Sequence, residues 1–345
     1  MKSVAMAEPK KIDPELKAVL RAAGSKNIET AHNALKSIAT ALELPLRKGI
    51  LRGNIIDFFT PEYFEPGVST EYPLDFLTPG TEQDFSAYVM PQIGQIASRE
   101  VQGDYIMVHT FGVSSSIDFS SRYARDARWP ILERAVEVLA GSFTRLMNTN
   151  GWRTVLGAGA SRNLIAYDDQ VVPGFLSKRL IETMKIVMRR QAGGNTTSVN
   201  QGKLTRLYVS TESMGDIRGW DLSQVDDFTR REIYMAEEQG ISKIWGVELR
   251  DLVELGVGQE FENFYESTLG GTLPSYTYSG TTNTKTEICV GLDLQRNDSF
   301  VMPVREEVEL FADTAFHRQG RIGLYGTGEH GFGCLDSRRV LIGAI

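Results

Sequence analysis

Only two cysteines, Cys289 and Cys334, occur in 345 residues. That is too few for a disulfide framework, so a reducing compartment is expected. No apolar run approaches the ~20 residues that a membrane-crossing helix needs, and no membrane partner is expected. The opening MKSVAMAEPKK has too short an apolar stretch for a signal peptide, so export by the usual route is not expected either. Excess positive charge is also lacking. The formal net charge is −7, whereas a nucleic-acid-binding chain usually carries a basic balance or a basic face.

Catalytic signatures are equally scarce. The sequence has no G-x-S-x-G, no recognisable reactive-cysteine signature and no G-x-x-x-x-G-K-[ST] phosphate loop. His317, His330 and Cys334 lie near one another, but no C-x-x-C, H-E-x-x-H or calcium-loop spacing accompanies them. Structural roles are expected for all three, and no metal. His32 and His109 stand alone on expected elements, as surface or hydrogen-bonded core histidines usually do. Gly326–Gly331 spells G-x-G-x-x-G, yet a dinucleotide fingerprint must open a helix and run on some twenty residues to an acid. Fourteen residues follow Gly331, and they read as strand. The expectation is a glycine-rich turn or bulge between two strands, with no cofactor. Arg305 beside Glu306, Glu307 and Glu309 suits a solvated or intersubunit strand face.

What is present is ordinary globular usage, 41% hydrophobic and 23% charged, with length for about two domains or one elaborated one. Charge is unevenly spread. Residues 1–52 carry ten basic side chains against five acids, a net of +5, which leaves −12 on the remainder. Helices are expected over Pro14–Ala23 and Asn27–Leu44, with Pro45 as the stop. Their apolar stripe is narrow, so this segment must lie on its own body or on a neighbouring chain.

Residues 61–104 differ in kind. Five prolines punctuate a stretch rich in Tyr, Phe, Thr and acids with no helical period. Strands around Gln83–Gly94 and Glu100–Phe111 make it a long hairpin-like excursion, and a loop of that length is usually functional or packed on a partner. A strand over Asp104–Phe111 then leads to the most regular element. Ile131, Leu132, Ala135, Val136, Leu139, Phe143, Leu146 and Met147 keep helical spacing from Pro130 to Asn148, with Asn150-Gly151 as the stop. Further helices are expected over Pro173–Gln191, Ser213–Gly219 and Asp227–Gln239. Strands are expected over Leu204–Ser210, Ile244–Val253, Glu287–Leu294, Val304–Ala312, Arg321–Tyr325 and Gly333–Ile342, and a polar loop over Thr268–Thr284. The irregular alternation argues for α+β.

This order of parts resembles the tailed-phage major capsid protein: a basic helical arm, an acidic aromatic loop, a strand leading into a long spine helix, then an α+β body. Similar text reinforces it in Gly151-Trp152-Arg153-Thr154, in Leu207-Tyr208-Val209-Ser210 and in Asp227-Phe228-Thr229-Arg230-Arg231-Glu232-Ile233. The most specific blocks run from Asp298 through Pro303 to Glu306, over His317-Arg318-Gln319 and from Phe332 to Leu341. The resemblance implies an N-terminal arm over 1–60 and an extended loop over 61–104. It implies a peripheral domain over 105–150 and 304–331 with its spine helix at 130–149, and an axial domain over 151–303 and 332–345. Function then follows from surfaces. Such a chain forms pentamers and hexamers of an icosahedral virion shell around double-stranded DNA, assembled in the host cytoplasm with a portal and with scaffolding or decoration proteins. The loop's Phe76, Phe85 and Tyr88 would be buried in a neighbouring subunit. Some such shells are welded by a loop lysine, but no lysine lies between Lys48 and Lys178, so non-covalent contacts are expected. An encapsulin, a bacterial cage of the same fold, is the nearest alternative. A small-molecule enzyme using Gly326–Gly331 is the remote one.

Overall fold

The computed structural model describes residues 14–50, 57–65, 67–73, 105–126, 129–191, 202–218, 220, 242–295, 299–315 and 317–345. Its longer helices are α1 (Pro14–Ala23), α2 (Ile28–Ile50), α3 (Ser121–Arg125), α4 (Trp129–Ala160), α5 (Lys178–Gln191) and α6 (Thr211–Arg218). In chain order the first strands are β1 (Thr60–Tyr63), β2 (Glu71–Pro73), β3 (Tyr105–Met107), β4 (Phe111–Ser120), β5 (Ile165–Tyr167), β6 (Arg206–Val209), β7 (Ser242–Ile244) and β8 (Val247–Asp251). They continue with β9 (Ser275–Tyr278), β10 (Thr281–Thr284), β11 (Ile288–Leu292), β12 (Phe300–Asp313), β13 (Arg321–His330), β14 (Gly333–Cys334) and β15 (Val340–Ala344). One sheet runs β1-β12-β13-β4, with β14 also on β12, and a second runs β5-β15-β11-β6-β8-β7. The α+β expectation holds.

α2 is longer than its sequence pattern suggested. It passes through Pro45 to Ile50, although an interior proline removes one helical hydrogen bond and disfavours the turn before it. Beyond that proline Leu46 is fully buried and extends the inward row Ala31, Ala34, Leu35, Ile38, Ala39 and Leu42. Burying one more leucine offsets roughly 1.5–3 kcal/mol of the cost. This row joins the main core with Val136 and Leu139 of α4 and Val304 and Val308 of β12. Of the two supports open to this basic segment, α2 uses its own body.

The spine helix is 32 residues long and does not stop at Asn150-Gly151. At 1.5 Å per residue it is about 48 Å long. A glycine inside a helix costs about 1 kcal/mol relative to alanine, but the next turns bury Trp152, Val155 and Leu156 completely or nearly so. The stripe Ala135, Val136, Leu139, Phe143, Met147 serves the first sheet, and its continuation serves the second. Trp152 lies edge-on to Tyr208 at 4.7 Å between ring centres and to Phe58 at 5.8 Å.

Four further departures have local causes. β4 was not anticipated, because Ser114-Ser115-Ser116 masks the alternation of buried Val113 and Phe119. The single strand expected over Ile244–Val253 is the end of β7, a turn and β8. The turn residues Trp245 and Gly246 have φ of 48° and 78°, the geometry of a tight hairpin turn. Trp245 tolerates it because its ring stacks on Trp220 at 6.1 Å and holds the Lys178 Nζ at 4.8 Å. Within the supposed polar loop, Ser279 and Gly280, also at positive φ, turn β9 into β10. Glycines 326 and 328 lie inside β13, not in a turn: Gly326 pairs with Leu310 of β12 and Ser115 of β4, and Gly328 pairs with Val113 of β4 opposite a register shift in β12. A Cβ on Gly326 would stand 2.9 Å from the ring of Phe143. This glycine gives the spine helix room to touch the sheet.

Two predictions follow from this core. Gly326→Val should lower stability by about 1–3 kcal/mol, read as a fall in the thermal midpoint; an unchanged midpoint would argue against the packing role. The second concerns His330, which is 2% exposed, sits 5.4 Å from the Phe111 ring and 5.5 Å from the Phe332 ring, and leaves its Nε2 without a partner. Burial lowers its pKa to about 4, below the ~6.5 of the unfolded chain. The unfolded state therefore binds the proton first, so stability should fall as pH drops from about 6.5 to about 4, by about 3 kcal/mol in all. Urea titrations of the chain and of His330→Leu across that range should differ by this slope, and parallel curves would refute it.

Candidate assembly surfaces

Phe76, Phe85 and Tyr88, the side chains singled out in the extended loop, lie outside the described residues. So does the expected strand at Gln83–Gly94. The loop's two ends are described and meet. β2 pairs antiparallel with β3, setting Glu71 opposite Met107, Tyr72 opposite Ile106 and Pro73 opposite Tyr105. Thr70 reinforces the join, its Oγ1 donating to the Val108 carbonyl and its own carbonyl accepting from the Val108 N–H at 3.1 Å. Tyr72 packs with Phe64, Val108, Val301 and Leu335 and anchors the ribbon to the body. The anchoring is one-sided. Tyr105 is 64% exposed and Met107 50%. A two-stranded ribbon is marginal in water without a packed face, and Tyr72 supplies one while the opposite face carries exposed apolar side chains.

Of the strand expected over Glu100–Phe111, residues 105–107 form β3 and residues 100–104 lie outside the described residues. The chain leaves the ladder at Val108 and re-enters as β4, which the sequence reading had not separated. The charged run after Pro303 divides between roles. Arg305 reaches Glu329 at 3.4 Å and donates to the Val68 carbonyl at 3.1 Å, tying β12 to the segment after β1. Glu306 is exposed, while Val308 and Leu310 turn inward.

Two exposed surfaces flank this region. On α4, Arg134, Val138, Ser142 and Arg145, three to four residues apart, form an exposed stripe with Glu137 and Leu146 beside it, basic at both ends. The outer face of the first sheet carries Phe311 and Tyr325, their rings stacked at 5.3 Å and both exposed. Exposed side chains of this size on adjoining elements are the mark of interaction surface.

The groups singled out for chemistry do not converge. His317 bonds the Ser25 carbonyl at 2.9 Å and ties the loop between β12 and β13 to the α1–α2 connection. Both cysteines are free, and burial pushes each thiol up to about 12. Thiols held in that range supply little nucleophilic thiolate near neutrality. Among the described residues no group of His, Cys, Asp and Glu side chains could hold a metal ion.

No protein-family model and no curated protein matches the chain. Solved structures do. The capsid asymmetric unit of Cyanophage Pam1 aligns over 86% of this chain and 92% of its own, at 10% identity and a TM-score of 0.55. The capsid of an empty GTA particle covers 86% and 89% at 10% identity and 0.53. A structure from Microbacterium phage Oxtober96 covers 85% and 90% at 12% identity and 0.52. With most of both chains aligned in each case, the chain has the fold of phage capsid subunits.

Proposed function

We propose that this chain is the major capsid protein of a tailed phage, self-assembling into the pentamers and hexamers of an icosahedral head. The observation that carries the reading is the agreement in fold over nine-tenths of a cyanophage capsid chain. Surfaces do the work, and no catalytic step is assigned. One sequence must close into two ring sizes, so contacts within a ring are heterologous.

In this reading the division into arm, extended loop, peripheral domain and axial domain follows the boundaries given by the sequence blocks. The loop of one subunit lies across the spine helix of its neighbour, where Phe76, Phe85 and Tyr88 are buried. Charge supports that placement. Residues 61–104 hold eight acids and one base, a net of −7, and the outward stripe of α4 is rimmed by Arg134 and Arg145. Opposite fields steer encounter and fix register more than they add affinity. Packaged double-stranded DNA is held without sequence reading, through contacts that weaken with salt. The portal, and scaffolding or decoration proteins, complete a virion component put together in the host cytoplasm.

Purified protein should form closed particles of uniform size in negative-stain micrographs, and particles from infected cells should protect double-stranded DNA from nuclease. A chain that remains monomeric sinks the reading. The loop placement has its own test: combining Phe76→Ala with Phe85→Ala should cost a few kcal/mol per site and reduce particle yield, whereas unchanged yield and thermal stability would remove the loop as a clamp. Since the loop and spine helix lack lysine, particles boiled in reducing detergent should run as one band near 38.4 kDa, and a ladder would show covalent welding.

A further inference from the structure

The two edges of the first sheet are built differently. Among the described residues β1 pairs with β12 only from Val301 to Val304. β12 breaks register against β13 between Val304 and Glu306 and again between Glu306 and Glu309, and it carries Arg305, Glu306, Glu307 and Glu309. Bulges and charges are the devices that keep an edge strand from pairing with another chain. β4, at the opposite edge, has no bulge and a single charge. Its ten residues pair with β13 in unbroken register from Ser120 opposite Arg321 to Phe111 opposite His330. It holds no lysine, arginine or proline, and Asp118 is its only charge. Among the described residues its backbone hydrogen-bonds to β13 alone. A long, regular edge with one charge is a template for another strand.

The identity of that strand is written in β4 itself. Around Ser115 the sequence is Phe111-Gly112-Val113-Ser114-Ser115-Ser116-Ile117-Asp118-Phe119, which reads alike in both directions by side-chain type except at Gly112 and Asp118. A second β4 laid antiparallel on a twofold axis through Ser115 sets Phe111 opposite Phe119, Val113 opposite Ile117, Ser114 opposite Ser116 and Ser115 opposite itself. Residues opposite one another share a face of the sheet, so apolar meets apolar on the core side and serine meets serine outside. The remaining pair is Asp118 opposite Gly112, which keeps the two carboxylates about 20 Å apart along the strands. Moving the register by two residues either way sets Ser115 against Ile117 or Val113 and loses the match. Phe111, 39% exposed at the strand's end, faces Phe119 in this register and loses it in either of those shifted ones.

We propose that β4 pairs with β4 of a second copy across a twofold axis, joining two large sheets into one. The inference rests on the self-assembly reading only in needing a second copy. It adds an isologous contact to the heterologous ring contacts, and a closed shell needs both kinds.

Ser115→Cys brings the test to the axis, where opposite Cβ atoms lie ~4.5–5.5 Å apart, close to disulfide reach. Ser115 is half-buried and its Oγ meets Ser142 Oγ at 2.9 Å, so the thiol is a mild replacement. Mild oxidation of assembled protein should yield a dimer of twice 38.4 kDa, reversed by reductant and joined at residue 115 in both chains, with none from the unsubstituted protein. A second pair of variants tests register without a thiol. Ser114→Lys with Ser116→Lys sets lysines opposite lysines twice and should weaken association about tenfold, with the circular dichroism unchanged. Ser114→Lys with Ser116→Glu sets opposite charges together and should associate at least as well as the parent. Particles that form without the residue-115 cross-link, and tolerate both charge variants equally, overturn the strand pairing and leave the shell reading standing. A chain that stays monomeric under all conditions overturns both.

Discussion

Trp152 on the spine helix is the contact on which the rest of the fold depends. Its ring meets Tyr208 of the second sheet, Phe58 of the segment before β1, and Phe261 at 6.1 Å from the helical turn after β8. Phe58 in turn lies edge-on to Phe300 at the start of β12. One aromatic cluster therefore joins both sheets and the helix that spans them. Had the helix ended at Asn150-Gly151, Trp152, Val155 and Leu156 would leave the stripe that continues from Met147, and the two sheets would lose their shared strut. Glycine at 151 is tolerated in mid-helix because tertiary burial on either side outweighs its intrinsic cost.

On the proposed shell reading, a rigid strut has consequences for a subunit that sits in several symmetry environments. The core made by α2, α4 and both sheets is complete within one chain, so association need not create it. What remains outside that core are the β2–β3 ribbon, the stripe on α4, the Phe311–Tyr325 pair and the β4 edge. Assembly can then be assigned to surfaces whose loss leaves the subunit folded. The contrast between the two sheet edges extends the same logic: guarding one edge with bulges and charges while leaving the other plain restricts strand addition to a single direction. A sheet open at both edges would propagate as a fibre, whereas one open edge with a self-complementary strand closes after two copies.

How much of this the sequence disclosed depended on the range over which each signal acts. Hydrophobic periodicity located α1, the start of α2, the first five turns of α4 and most core strands, because burial of one face is imposed residue by residue. Stop signals misled at Pro45 and at Asn150-Gly151, since both are local and what overrode them, Leu46 and Trp152 in a shared core, is not. β4 escaped notice for the opposite reason: three consecutive serines read as loop, and only pairing with β13 reveals that alternate positions face the core. The hairpin turns at Trp245-Gly246 and Ser279-Gly280 lay inside segments assigned as one strand and one loop. Trp245 gives no turn signal of its own, because its positive φ depends on stacking against Trp220, a residue distant in sequence.

The assembly surfaces were legible only as composition. An acidic aromatic segment beside a basic rim says that two things attract but not that they belong to different copies, and Phe76, Phe85 and Tyr88 acquire a partner only through the resemblance in order of parts. The β4 palindrome is different in kind, because its information lies in symmetry rather than in propensity. A strand that matches itself in only one antiparallel register specifies both its partner and the axis relating them, and the match is readable once the sheet shows which edge is open. For a chain proposed to assemble with copies of itself, such a pattern carries what a catalytic motif carries in an enzyme: it names the reacting groups, here the backbone of β4 and its mirror-ordered side chains, and it limits the geometry in which they can meet.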